Sequence, residues 1–194
     1  WTTTPWTLMG NVALAVGKDI DYVKFSTKNY PDISDANYIV SKVDFDNYLS
    51  IIENAKKETP NIQVEILQKL KGKDLEGKKY KPLFDYFVDK NIPNKENLYT
   101  IQLADFVTTE EGTGIVHIAP AFGEDDMNLG KEKNLPFIQH VKMNGQITDE
   151  VKDFAGMEVK PKDNPMATDK KIIKYLKNKN SLFLEEEYTH SYPY

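Results

Sequence analysis

The chain is 194 residues long, carries a net charge of −5 and contains no cysteine, a length suited to one domain with its own core and a composition that excludes a disulfide framework or thiolate chemistry. No apolar run approaches the roughly 20 residues of a membrane-spanning helix. All 25 basic residues are lysine, so the chain lacks the planar guanidinium fork that grips phosphate, and its acidic total suits a free-standing nucleic-acid binder poorly.

No targeting peptide is expected at the N-terminus. The chain starts Trp1-Thr2-Thr3-Thr4-Pro5, without an initiator Met or a basic or apolar stretch, and stops at Ser191-Tyr192-Pro193-Tyr194 without a helix or strand signal. Both ends read as cuts from a longer protein. The expectation is a single domain over 1–194 with a cytosolic home.

In chain order, 7–16 carries β-branched and aliphatic residues in partial alternation, Gly17-Lys18-Asp19 follows as a turn, and 21–25 alternates again, which predicts a β-hairpin. Tyr38-Ile39-Val40 reads as a strand. Asp44 or Asp46 is placed to cap a helix over 48–57, with Leu49, Ile51 and Ile52 as its apolar stripe and Thr59-Pro60 as its stop. Strands are expected over 62–70 and 98–107, with an irregular stretch over 72–87 between them. A short strand over 115–119, introduced by Gly112-Thr113-Gly114, ends at Pro120, which has no N–H to give the ladder. The stretch 124–133 reads as a helix, acids first and lysines last, the order its dipole favours. A helix over 168–177 and a closing strand over 182–188 complete the set. Many strands and few helices predict an α+β fold, an antiparallel, barrel-like β core with peripheral helices.

The segments that could carry chemistry are ambiguous one by one. Thr2 and Thr4 share a face if the N-terminal segment is extended, but threonine is also an ordinary strand residue. Gly112-Thr113-Gly114 permits a sharp turn with close backbone approach, as any hairpin does. His117 sits mid-strand, where a buried, hydrogen-bonded histidine is the commoner case. His140 and His190 are isolated, and no second histidine or cysteine lies at zinc-ligand spacing, so no metal is expected. Glu124-Asp125-Asp126 opens a helix, where an acid caps free N–H groups; a carboxylate there can instead hold a substrate ammonium. There is no G-x-S-x-G elbow, phosphate-binding P-loop or dinucleotide fingerprint, and Trp1 at the first position leaves no N-terminal threonine nucleophile.

Taken together, Trp1-Thr2-Thr3-Thr4-Pro5-Trp6-Thr7-Leu8, Asn11 and Ala13-Leu14-Ala15-Val16 resemble the opening segment of the class I aminoacyl-tRNA synthetase editing (CP1) domains, in the isoleucyl version. Gly112-Thr113-Gly114-Ile115-Val116-His117-Ile118-Ala119-Pro120-Ala121-Phe122-Gly123-Glu124-Asp125-Asp126 resembles the second signature of the same domain. Lys81-Pro82-Leu83-Phe84-Asp85-Tyr86-Phe87 and Thr189-His190-Ser191-Tyr192-Pro193 add to the likeness. Valyl and leucyl relatives carry an arginine before the proline and an acid after it, where this chain has Thr4 and Trp6. The nucleotide-binding signatures of the synthetic site are absent, so no amino-acid activation is expected.

The resemblance implies a hydrolase that deacylates valyl-tRNA for isoleucine, with valyl-adenylate open as a second substrate. Asp126 is implied to bind the α-amino group, with Asp125 and Glu124 peripheral. Thr2, Thr3 and Thr4 are implied to hold the ester and attacking water, with Trp6 and Asn11 lining the site. His117 is implied to shape the side-chain pocket, with a general-base role as the alternative. Thr113, Ala119 and Phe122 complete the implied substrate-binding set. No cofactor or metal is implied. The implied partners are the 3′ end of the misacylated tRNA, valine and the rest of the synthetase, in the cytoplasm and without a membrane. One methylene gives a binding pocket only about 1 to 3 kcal/mol of discrimination, as is well known for isoleucine against valine themselves, so a second, hydrolytic site removes the error. Rival expectations are a valyl- or leucyl-type editing domain, or a silent module that binds the aminoacylated tRNA end.

Overall fold

The computed structural model describes residues 1–30 and 35–185. It is a mixed α/β fold built on two three-stranded sheets. The first has the order β5 (Thr100–Leu103), β1 (Ala13–Val16), β6 (Ile115–Ile118); the second has β3 (Ala36–Ser41), β2 (Asp21–Lys28), β4 (Gln63–Lys71). Three α-helices accompany them among the described residues: α1 (Lys42–Ala55), α2 (Glu124–Glu132) and α3 (Ala167–Asn178). None is long and apolar enough to cross a membrane.

Two expectations are corrected here. The hairpin over 7–25 does not form: β1 and β2 join different sheets, and Pro5–Gly10 is a 3₁₀ helix. Pro5 fixes φ at the first helical position, which outweighs the β-branched residues around it. The pairing is also not uniformly antiparallel, because β1 pairs in parallel with β5 and antiparallel with β6. The described strands make two open sheets, and no closed barrel is found among them.

The helix expected over 48–57 begins six residues earlier, since Ser41 and neither Asp44 nor Asp46 is its cap, accepting from the Asp44 N–H at 3.1 Å. Its buried stripe is Phe45, Tyr48 and Ile52, while Ile51 is exposed. The strand expected over 62–70 corresponds to β4, that over 98–107 shortens to β5, and α2 and α3 lie where expected. Residues 182–185 are not strand, and the rest of the expected closing strand lies outside the described residues.

The first sheet packs Ala13, Ala15 and Ile118 into a core closed by Leu129 of α2, Ile172 and Leu176 of α3, and Ile138, Ile147 and Phe154 of the intervening loops. The second sheet and α1 share Val23, Phe25, Phe45, Tyr48 and Ile52. Tyr22 joins the two. Its buried hydroxyl accepts from the Gly17 N–H at 3.1 Å, at the end of β1, and donates to the Gly114 carbonyl at 2.7 Å, just before β6. Gly112 and Gly114 both take positive φ, 68° and 69°. A Cβ on Gly114 would stand 2.6 Å from that of Ser41, so this turn lets the second sheet close on the first.

Candidate functional site

Most of the residues singled out in the sequence gather around the 3₁₀ turn. The Thr4 carbonyl takes both the N–H of Thr7 at 2.9 Å and its hydroxyl at 2.8 Å. Thr2 Oγ1 accepts from the Thr4 N–H at 3.0 Å and lies 3.3 Å from Thr4 Oγ1, which is 3.3 Å from Thr7 Oγ1. Thr7 Oγ1 in turn lies 2.9 Å from His117 Nε2. Three hydroxyls and one imidazole thus form a continuous line. Thr4 and Thr7 meet through the curvature of the 3₁₀ helix, whereas Thr2 and Thr4, across the bend at Thr3, share a face before the helix begins. Thr3 is partly exposed and its hydroxyl takes no partner among the described residues.

Proton bookkeeping fixes the imidazole. Thr7 has one hydroxyl proton and gives it to the Thr4 carbonyl, so His117 Nε2 carries hydrogen and Nδ1 is left with its lone pair. That Nδ1 is buried and has no partner among the described residues. Burial pushes the His117 pKa down to about 4, and the neighbouring amino group of Trp1 and His140 act in the same direction. His117 is therefore neutral through the physiological range.

Asp126 is the third residue of α2, whose N-cap Gly123 supplies no side chain. Its carboxylate folds back so that Oδ2 accepts from the Ala119 N–H at 2.8 Å. Burial raises the pKa of Asp126, opposed by the Ala119 N–H and assisted by the charge of Asp125. Glu124 and Asp125 are exposed. Phe122, between them and β6, sets its ring edge-on to Trp6 at 5.2 Å and to His140 at 4.8 Å.

Asn11 and Thr113 stand apart from this grouping in their bonding. The Asn11 amide donates to the Ala13 carbonyl at 2.8 Å and its oxygen accepts from the Tyr80 hydroxyl, so its polar atoms are committed to holding the start of β1. Thr113 serves the junction between the sheets, its carbonyl taking the Ser41 N–H at 2.8 Å and its hydroxyl bonding the Ile115 carbonyl at 3.3 Å.

Three residues that the sequence did not mark complete the site. Thr7 links the hydroxyls to His117. The Trp6 peptide is clamped from both sides, its N–H by the Asp169 carboxylate of α3 at 3.0 Å and its carbonyl by His140 Nε2 at 2.9 Å. Both clamping side chains are buried. Burial lowers the pKa of His140 to about 4 and raises that of Asp169. Since a carbonyl only accepts, His140 Nε2 carries the hydrogen, and its buried Nδ1 is another lone pair without a partner among the described residues; the Trp6 Nε1 donor is likewise unpartnered. The Pro at the start of a turn, two residues before the next threonine, was a usable signal for Thr7. His140 and Asp169 lie 134 and 163 residues from Trp6 and had none.

Among the described residues, no group of three or more histidines and carboxylates could hold a metal ion. An open cavity of about 680 Å³ lined by Asp85, Tyr86, Asp89, Lys90, Asp149, Glu150 and Lys152 shares no residue with the threonine turn.

No family model matches the chain. Over its whole length it is 41% identical to the isoleucine–tRNA ligase of Bdellovibrio bacteriovorus and 39% identical to those of Treponema denticola and Clostridium acetobutylicum. It spans 16 to 17% of the length of these relatives. Among solved structures it is similar to the cytosolic leucyl-tRNA synthetase editing domain of P. knowlesi, with a TM-score of 0.46 and 18% identity over 69% of this chain and 50% of that one. The counterpart from P. falciparum gives 0.43 and 20% over 69% and 45%.

Proposed function

The chain belongs to the isoleucine–tRNA ligase family, and we propose that its 194 residues form the hydrolytic editing unit, which deacylates valyl-tRNA for isoleucine. The observation that carries this reading is the bonded line at one turn that joins the hydroxyls of Thr2, Thr4 and Thr7 to the neutral imidazole of His117, bringing the two family motifs together.

An aminoacyl ester is already activated, so its hydrolysis needs a placed water and stabilisation of the developing oxyanion more than a protein nucleophile. Water attacks the carbonyl carbon, the bond to the ribose oxygen breaks, and valine and the ribose hydroxyl leave. Asp126 spends one oxygen on the Ala119 N–H and presents the other to the substrate ammonium, a charge-assisted contact. Thr3 supplies the unpaired hydroxyl; Thr2 and Thr4 are held by their neighbours in fixed orientation. Phe122 and Trp6 contribute apolar wall. His117, neutral and aimed by Thr7, shapes the side-chain pocket, a role of orientation and shape. A base with a pKa of about 4 removes protons from water poorly at neutral pH.

The reading places the unit in the cytoplasm alongside the rest of the ligase, with the 3′ end of the misacylated tRNA as its substrate. The test is single-turnover deacylation of valyl-, threonyl- and norvalyl-esters on their respective tRNAs. Selective release of valine from the tRNA for isoleucine is expected. Binding of a non-hydrolysable valyl-adenosine with no turnover of any ester would favour a silent binding module.

A further inference from the structure

We infer that the outer face of α3 is a docking surface for an RNA backbone, placed to lead an acylated 3′ end to the threonine turn; this rests on the editing reading above. Lys170, Lys171, Lys174 and Lys177 are all exposed, and at 100° per residue they fall within an arc of about 120°. The opposite side buries Ile172 and Leu176 in the first core. The one acid of this helix, Asp169, is turned inward onto the Trp6 N–H. The outward face is therefore cationic without interruption. None of its four lysines forms an ion pair among the described residues.

Two features set this face apart from an ordinary solvated surface. Residues 160–179 hold seven lysines against Asp163 and Asp169, a local charge of +5 in a chain whose total is −5. Like charges three and four residues apart work against the helix that carries them, and nothing on this helix offsets the repulsion. The second feature is position. The same first turn that begins the lysine face bonds the Trp6 N–H at 3.0 Å, so a polyanion lying along α3 ends beside the 3₁₀ helix that carries the candidate site. Lysines without arginine act as point charges, which neutralise phosphates but read no base. The other lysine-rich stretch, 69–81, is interrupted by Asp74 and Glu76, and its Lys71 is paired with Asp21 at 2.9 Å.

The test titrates the 194-residue chain with deacylated tRNA for isoleucine over a range of salt. It compares K170Q/K171Q/K174Q/K177Q with a charge-matched control, K69Q/K73Q/K78Q/K81Q, both checked for an unchanged thermal midpoint. The α3 variant is expected to lose about tenfold or more in affinity, with a log–log salt slope shallower by about 3, as four lost phosphate contacts require. The control is expected to lose much less, and Lys→Arg at the four α3 positions to retain binding. Turnover of the small ester valyl-adenosine is expected to be the same in the α3 variant and the parent. Equal losses in both glutamine variants, no loss in the α3 variant, failure of the arginine set to bind, or no tRNA binding by the unsubstituted chain would each overturn the proposal. If the α3 variant alone loses tRNA while the parent hydrolyses no ester, the docking face stands and the editing reading falls.

Discussion

His117 Nε2 meets Thr7 Oγ1 at 2.9 Å, and Thr7 in turn is tied through its own hydroxyl to the Thr4 carbonyl. Replacing Thr7 with valine keeps the shape and removes both bonds. The His117 N–H then lacks a partner and the Thr4 carbonyl keeps only the backbone N–H of residue 7, so Thr7→Val is expected to lower stability by about 1 to 3 kcal/mol. A freed imidazole also loses its fixed direction, and deacylation of valyl-tRNA is expected to fall several-fold with it. Urea unfolding and single-turnover rates measure the two effects separately.

Asp126 separates stability from activity. Its folded pKa is raised by burial, so the native state binds more protons than the unfolded one just above pH 3.8, and stability falls as pH rises through that window. At neutral pH the ionised carboxylate is a cost to the fold. Asp126→Asn, which keeps an oxygen for the Ala119 N–H, is expected to show an equal or higher thermal midpoint at pH 7. Its hydrolysis rate is expected to drop about 10- to 100-fold, the worth of a charge-assisted hydrogen bond. A variant with full hydrolytic activity would remove Asp126 from the site.

The two buried histidines act in the opposite sense on pH. Their folded pKa values, both about 4, lie below the ordinary 6.5. The unfolded chain binds the extra protons, so the stability that neutral His117 and His140 give is full above pH 6.5 and is lost as pH falls towards 4. Each contributes a slope of up to about 1.4 kcal/mol per pH unit in that window. Denaturation midpoints measured from pH 7 to pH 4 are expected to fall more steeply for the parent than for His140→Gln. The hydrolysis rate, measured between pH 5 and 8, is expected to show no inflection from His117.

Tyr22→Phe probes the joint between the sheets. The Gly17 N–H and the Gly114 carbonyl both lose their buried partner, at an expected cost of about 1 to 3 kcal/mol. Gly114→Ala is expected to be at least as damaging, since positive φ and the contact with Ser41 oppose it together. Thermal melts of the two variants test this directly.

Local patterns in the sequence located β3, β4, β6, α2 and α3, because alternation, helical stripes and end signals are written in neighbouring residues. What they could not locate was partnership. Strand β1 looks like half of a hairpin until its partners turn out to lie at Thr100 and Ile118. Asp44 and Asp46 read as the caps on sequence alone, and the strand that ends at Ser41 starts the helix there instead. The motifs at Thr2–Thr7 and Gly112–Asp126 were legible as a family pattern, and the structure brings Thr4, Thr7 and His117 into one bonded line. His140 and Asp169 were illegible, since each acts on a backbone group of Trp6, and backbone groups leave no mark in a sequence.

The two sheets also differ in how far their strands must travel to meet. In the second, β2, β3 and β4 follow one another along the chain, whereas in the first, Ala13 must find Thr100 and Ile118. Closing long loops precedes any reward from the contacts they enable, which slows such pairings. The second sheet with α1 is thus the natural early unit of folding, and the threonine turn, whose His117 partner is 110 residues away, is among the last parts to assemble. During synthesis on the ribosome the candidate site cannot exist until β6 has emerged, and in the finished protein it should be among the first regions to open to hydrogen exchange.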